Sequence, residues 1–214
     1  MNTPDFTFEQ DHKGPVCGLD EVGRGPLAGP VVAACVYIPQ GAYGLPFISE
    51  IKDSKKLSEK KLEQLYALIT EHFIYGVAEL DPEVIDEINI LQASLKAMRL
   101  ALDETRYDYV HALVDGNKMP DLPCPATTVV KGDSKSTSIA AASIVAKVTR
   151  DRIMKDLHEK FPHYGWNTNV GYPSKAHLAG IDAHGITPHH RKSFAPVKNF
   201  MVYGTTRKPA QNVA

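Results

Sequence analysis

The order of elements in this 214-residue chain predicts an α/β fold, a mixed β-sheet flanked by helices, with a helical C-terminal extension. Three observations carry the expectation. Two β-rich segments come first, helices and strands then alternate, and from about Thr137 onward the pattern is mostly helical. Composition agrees, with 43% hydrophobic and 23% charged residues, which excludes a disordered or collagen-like chain. At this length one large domain can bury a core without disulfide staples.

Each element has its own signal. Residues 16–21 and 31–38 are apolar and β-rich, and the glycine-rich turn 23–29 joins them as a hairpin or meander. Residues 40–56 read as a loop. Ser58 has the place of an N-cap for a helix to about His72, with Leu62, Leu65, Leu68 and Ile69 on one face. A strand is expected over 73–80. Asp81-Pro82 is a helix start, and a second amphipathic helix spans 90–104. Apolar strands at 109–114 and 127–130 run into Asp115-Gly116 and Lys131-Gly132-Asp133, and an alanine-rich helix covers 137–160. Residues 1–14 are expected to be a flexible N-terminus and 201–214 a tail. Between them, residues 15–200 form one domain whose helical part begins near 161.

The longest apolar runs, at 30–38 and 138–148, fall short of the roughly 18 residues of a membrane span. The first fifteen residues lack the basic start and apolar run of a signal peptide. Cys17, Cys35 and Cys124 are odd in number and form no CxxC pair, so they read as small core residues of a reducing, cytoplasmic compartment. The formal net charge of −1 conceals an uneven distribution. Residues 1–130 carry 11 basic and 20 acidic side chains, whereas residues 131–214 carry 13 basic and 5 acidic. Such asymmetry marks either a nucleic-acid surface or charges that mix on folding.

Four acids stand at strand ends: Asp20 and Glu21, Asp115, and Asp133. Each alone has the place of a turn former or cap. Together they suggest a carboxylate cluster, because buried unpaired carboxylates are costly and ligands gather at the carboxyl ends of strands. A cluster of that kind needs a cation, and hard oxygen ligands select Mg²⁺ or Mn²⁺. Two such ions about 4 Å apart form the clamp used for phosphodiester cleavage. Neighbouring side chains on a strand face opposite ways, so Asp20 and Glu21 converge only if the strand ends or bulges there. Directly after the acid pair, Gly23, Arg24 and Gly25 offer backbone N–H groups and a forked guanidinium to phosphate or hydroxyl oxygens. The GxxxxGK[ST] spacing of a Walker loop is missing.

Over residues 16–197 the chain resembles type 2 ribonuclease H (ribonuclease HII). The resemblance rests on GLDEVGRGPLAGPVVAACV, DSKKLSEKK, INILQAS, VDGN, KGDSKSTSIAAASIVAKVTRD, VGYPSKAHL and HRKSFAPV, in that order. It implies a ribonuclease H-like mixed sheet and a metal-dependent endonuclease. The implied substrates are RNA–DNA hybrids and DNA containing single ribonucleotides. It assigns Asp20, Glu21, Asp115 and Asp133 to the metal and the Gly23-Arg24-Gly25 turn to the 2′-hydroxyl and its phosphate. Tyr172 becomes the ring that detects the RNA-to-DNA junction. A monomer is expected, and the tail carries no evident clamp-binding motif.

Lys55 and Lys56 have the alternatives of phosphate contact or solvated surface, and the resemblance raises Lys55 as a substrate contact. Asn89 and Gln92 open a helix, as caps or as minor-groove contacts. Lys147, Arg150 and Arg152 read as helix-face pairs, and Arg191, Lys192 and Ser193 as candidates for holding the DNA strand. No zinc spacing joins His184, His189 and His190. His177 reads as structural, and Trp166 as packing between helices and sheet. Two other readings compete: a related nuclease or integrase acting on DNA, and a non-catalytic binding module. The former lacks a use for the glycine turn and Tyr172, and the latter predicts loss of at least one of the four acids.

Overall fold

The computed structural model describes residues 3–208. Strand β1 (Val16–Val22) pairs antiparallel with β2 (Val31–Tyr37), in register from Cys17↔Tyr37 to Val22↔Val32. The glycine-rich stretch therefore closes a hairpin, as expected. β1 also pairs in parallel with β4 (His111–Asp115), which pairs in parallel with β5 (Ala126–Val129). β3 (Ile74–Leu80) lies beside β2, giving the order β3-β2-β1-β4-β5. β1 is the centre of this mixed sheet, which is why its first five residues are all buried.

The helices are α1 (Thr7–Gln10), α2 (Glu59–His72), α3 (Pro82–Glu104), α4 (Thr137–Lys160), α5 (Trp166–Asn169), α6 (Lys175–His184) and α7 (Ala195–Tyr203). Ser58 caps α2, its hydroxyl accepting from the Lys61 N–H, and Leu62, Leu65 and Ile69 are buried. Burying each is worth about 1.5–3 kcal/mol. α3 is two helices fused at Asn89, whose φ of 65° and ψ of 161° interrupt the ladder. Its carboxamide oxygen accepts from the N–H groups of Leu91 and Gln92, restarting the helix near the expected position. Asn89 is thus a cap, and Asn89 and Gln92 are both exposed.

α4 begins directly against β1. A Cβ on Gly18 would stand 2.3 Å from the backbone of Ser138 and Ile139, so only glycine admits the helix there. The first turn of α4 is capped by Ser136, whose hydroxyl accepts from the Ile139 N–H, and by Glu9, whose Oε1 accepts from the Ser138 N–H.

The chain forms two compact units. The first comprises Met1–Val22, Val32–Glu79 and Ser94–Thr149 and holds the sheet; the second comprises Gly23–Val31, Leu80–Ala93 and Arg150–Ala214. The second has its own core of Leu27, Met154, Leu157, Trp166, Ile181 and Val197. Trp166 accordingly packs among the helices of that unit. Among the described residues no helix is long and apolar enough to cross a membrane. Cys17 and Cys35 are buried as expected, and Cys124 is half-buried.

Within the described residues, both end segments carry hydrogen bonds to the rest of the chain. The Asp5 N–H donates to Lys135 O, and the Thr137 N–H donates to Asp5 O. Glu9 is 4% exposed because Oε1 accepts from Ser136 Oγ, Ser138 N and Ser138 Oγ, which makes burial of an acid tolerable. Beyond α7, Thr206 is tied to Asp182 through its N–H and hydroxyl. Residues 1–2 and 209–214 lie outside the described residues.

Candidate active site

The parallel register of β1 and β4 ends at Leu19↔Val114, so Asp20 and Asp115 follow as neighbours on adjacent strands. By alternation they share the face of Gly18 and Leu113, the face covered by Ile139 of α4. Asp115 Oδ1 accepts the Gly132 N–H at 2.6 Å. A Cβ on Gly132 would stand 3.2 Å from that oxygen. This bond pins the turn Gly132–Ser134, entered through Lys131 at φ 56°, and so brings Asp133 to the same end of the sheet. β1 stays in regular register through Val22, so no bulge turns Asp20 and Glu21 onto one face, yet the Glu21 charge still reaches Asp20.

Electrostatics nevertheless couple all four acids. Asp20 is 7% exposed, and its carboxyl is pushed well above the ordinary range by burial, then by the charges of Glu21, Asp115 and Asp133. The Glu21 N–H, donating to Asp20 Oδ1 at 2.7 Å, opposes the shift. Asp133 is raised by burial, then by Asp53 and Asp115, while Lys55 and Lys56 pull it down. Among the described residues no three acidic, His or Cys side chains form a ready-made ligand set. The fit to a hard cation rests instead on the oxygen donors present and on the repulsion concentrated at Asp20.

Lys55 lies on a short 3₁₀ turn, Ser54–Lys56, anchored by a buried 2.7 Å bond between the hydroxyls of Ser54 and Ser143. Asp53 accepts the Lys55 N–H and pairs with Lys56 Nζ at 3.3 Å. This anchoring places Lys55 and Lys56 within electrostatic reach of Asp133.

In the second unit the glycine turn is built on two buried arginines. Arg150 donates to the carbonyls of Pro30, Val170 and Ala28. Arg191, fully buried, donates to Gly29 O twice, to Arg24 O at 3.1 Å and to Gly23 O at 2.6 Å. Arg191 is therefore not a surface contact for a DNA strand but the scaffold of the turn, and Arg150 is not a helix-face residue. Desolvation brings their guanidiniums down to about 9 and about 10, so both stay charged at neutral pH. Gly23, at φ +92°, is required twice over, because a Cβ would meet Arg150 Nε at 2.2 Å. Arg24 is exposed on this frame.

Tyr172 is 46% exposed and lies over Gly25, where a Cβ would come within 3.2 Å of the ring. The structure thus brings together two residues that the sequence separates by most of the chain. Arg150 and the histidines behind Tyr172 are the participants that sequence reading missed. Their signal was weak, since nothing in a sequence distinguishes a buried arginine from an exposed one.

A family model described as Ribonuclease HII matches residues 17–197. The chain belongs to the ribonuclease HII family. A ribonuclease HII of Paramagnetospirillum magneticum is 50% identical over 200 residues, covering 94% of this chain and 100% of that protein. One from Magnetococcus marinus is 53% identical over 189 residues, covering 87% of each. Among solved structures, ribonuclease H2 of Pyrococcus horikoshii OT3 aligns at TM-score 0.72 and 28% identity, over 86% of this chain and 96% of that one. RNase HII of Archaeoglobus fulgidus, solved in a complex with PCNA, aligns at TM-score 0.66 and 29% identity, over 84% and 95%. This ribonuclease HII is accordingly an endoribonuclease, a hydrolase with ribonuclease H activity on RNA–DNA hybrids.

Proposed function

We propose that this ribonuclease HII is a metal-dependent endonuclease that also cuts 5′ of ribonucleotides embedded in duplex DNA. It leaves 5′-phosphate and 3′-hydroxyl ends and so serves to remove ribonucleotides from DNA. The observation that carries the reading is that Asp20 and Asp115 end adjacent parallel strands while the Asp115–Gly132 bond brings Asp133 to the same end, and the charges of Glu21, Asp115 and Asp133 all act on Asp20. Four acids at one sheet end favour a hard divalent cation. Asp20, Glu21, Asp115 and Asp133 would hold Mg²⁺ or Mn²⁺, two ions in this reading. When bound, such ions supply Lewis-acid stabilisation of the phosphodiester oxygens as the P–O bond breaks.

The remaining work falls to the chain's own groups. Lys55 adds positive charge beside Asp133, suited to a backbone phosphate. Arg24 offers a forked donor on a frame held by Arg191. The N–H groups of Gly23–Gly25 bond a 2′-hydroxyl, and a deoxynucleotide would leave them unpaired, which is how the all-DNA duplex is rejected. The Tyr172 ring stacks on the sugar of the following deoxynucleotide. The enzyme acts as a monomer in the cytoplasm. The tail has no evident clamp motif, and its last six residues lie outside the described ones.

The test is a duplex with one labelled ribonucleotide, incubated with chelated protein and then with added Mg²⁺ or Mn²⁺. Cleavage that returns only with the ions, with mass spectrometry showing 5′-phosphate ends, is expected. Cutting in excess chelator, or a 2′,3′-cyclic phosphate product, would refute the reading, because attack by the 2′-hydroxyl itself requires only acid–base groups.

A further inference from the structure

The Tyr172 ring is exposed, yet its backbone is tightly held. Its N–H donates to Asn169 O at 2.8 Å, and its carbonyl accepts from the Ser174 N–H at 2.7 Å. The same carbonyl meets His177 Nδ1 at 3.0 Å, and from there a closed polar chain runs through the core of the second unit. Trp166 Nε1 lies 3.1 Å from His177 Nε2, which lies 3.1 Å from His190 Nε2. His190 Nδ1 in turn meets Thr187 N at 2.9 Å and Thr187 Oγ1 at 3.0 Å. His177 and Trp166 are fully buried, and His190 is 1% exposed.

The Thr187 amide and the Trp166 indole can only donate and the Tyr172 carbonyl can only accept, and together they fix the protons between them. The Thr187 amide N–H requires His190 Nδ1 to accept, so the His190 proton sits on Nε2 and points at His177. The Trp166 indole N–H likewise requires His177 Nε2 to accept. His177 therefore carries its proton on Nδ1 and donates it to the Tyr172 carbonyl. Both imidazoles are neutral, and the one lone pair of His177 Nε2 is shared between the Trp166 and His190 N–H groups. Burial supports this, holding His177 below its ordinary range and bringing His190 down to about 3.

A histidine that only filled space would not need a defined tautomer. This one is locked by an indole and a second imidazole, and its single donor is spent on the residue whose ring covers Gly25. The segment it reaches is otherwise awkward, with Val170 at φ 42° and Gly171 at φ +87° immediately before Tyr172. We propose that His177 is the positioning residue of Tyr172, and that the Trp166–His177–His190 chain sets the junction preference of the enzyme by fixing where that ring stands. The proposal rests on the reading of Tyr172 as the junction sensor.

Two variants divide the two halves of the imidazole. In His177→Asn the amide nitrogen takes about the place of Nδ1 and keeps the bond to Tyr172 while giving up the acceptor for Trp166. In His177→Gln the side-chain oxygen takes about the place of Nε2 and keeps Trp166 and His190 while releasing Tyr172. Both lose one side of a buried chain, so general destabilisation affects both. Cleavage of a single-ribonucleotide duplex is measured against cleavage of a long RNA–DNA hybrid, with Tyr172→Ala alongside. The environment of the ring is read from the 3-fluorotyrosine resonance that disappears in Tyr172→Phe.

For His177→Gln the junction-to-hybrid ratio should fall about tenfold, the scale of one lost stacking contact, and the resonance should shift or broaden. His177→Asn should keep both near wild type. An unmoved resonance in His177→Gln, or an equal fall of the ratio in the two variants, would overturn the proposal. A resonance that moves while Tyr172→Ala leaves the ratio unchanged would instead overturn the junction-sensor reading and leave His177 as the anchor of Tyr172.

Discussion

Replacing Arg191 with lysine separates the two roles a C-terminal arginine has in a nucleic-acid enzyme. The guanidinium serves three carbonyls, those of Gly23, Arg24 and Gly29, from a fully buried position. A lysine keeps the charge but presents it at a point, and its ammonium reaches one or two of the three. One or two carbonyls are then stranded at about 1–3 kcal/mol each, so the loss in stability is about 3 kcal/mol. With a urea slope of about 2 kcal/mol per molar, the unfolding midpoint drops by about 1.5 M. The assay is urea unfolding followed by fluorescence, combined with hybrid binding at several salt concentrations. Any folded Arg191→Lys protein should show an unchanged salt slope, because no phosphate contact is removed. Arg24→Ala should do the reverse, keeping the midpoint and lowering the slope by about 0.9, the value of one phosphate. A midpoint within about 0.3 M of wild type, together with a lowered slope for Arg191→Lys, would refute the scaffold argument and restore Arg191 as a DNA contact.

Asp20→Asn keeps the oxygen that accepts the Glu21 N–H but removes a buried, repelled charge. It should abolish cleavage while raising the metal-free melting temperature by a few degrees, on the scale of about 1 kcal/mol, and calorimetry with and without Mg²⁺ checks this. A fall in metal-free melting temperature would count against the repulsion. Acid should weaken the second unit through His190, which binds its proton near 6.5 when unfolded but only at about 3 when folded. The unfolded state then holds more protons between those values, so stability is complete above about pH 6.5 and falls as the pH drops toward 3, by at most about 1.4 kcal/mol per unit. Asp20, raised on folding, works in the opposite direction, so the comparison is with His190→Gln, whose acid slope should be shallower; equal slopes would remove His190 as the cause.

The elements that sequence reading placed correctly are those whose signal is local. The alanine-rich helix 137–160, the Ser58 cap and the apolar strands that stop at Asp20 and Asp115 each declare themselves within one or two turns of chain. The acids were visible for the same reason, since a carboxylate ending an apolar strand is locally anomalous. What escaped is held by contacts distant in sequence. Arg191 and Gly23 are 168 residues apart, Glu9 and Ser138 are 129 apart, and Arg150 reaches Ala28 across 122. In sequence, Arg191 is one basic residue in a basic stretch; its role appears only once three backbone carbonyls converge on it. The two kinds of information also divide the chemistry. Groups proposed to meet the metal or the phosphate are charged residues next to local breaks, and the sequence exposes them. Groups that hold them in place are ordinary arginines, histidines and a tryptophan, whose function comes from what donates to what. A ribonuclease that must reject deoxyribose for want of one hydroxyl depends on the second kind. Amides that drift by a fraction of an ångström no longer leave an unpaired bond behind when the hydroxyl is missing. If the turn bonds the 2′-hydroxyl as proposed, the buried cage under Gly23–Gly25 contributes to selectivity as directly as the turn itself.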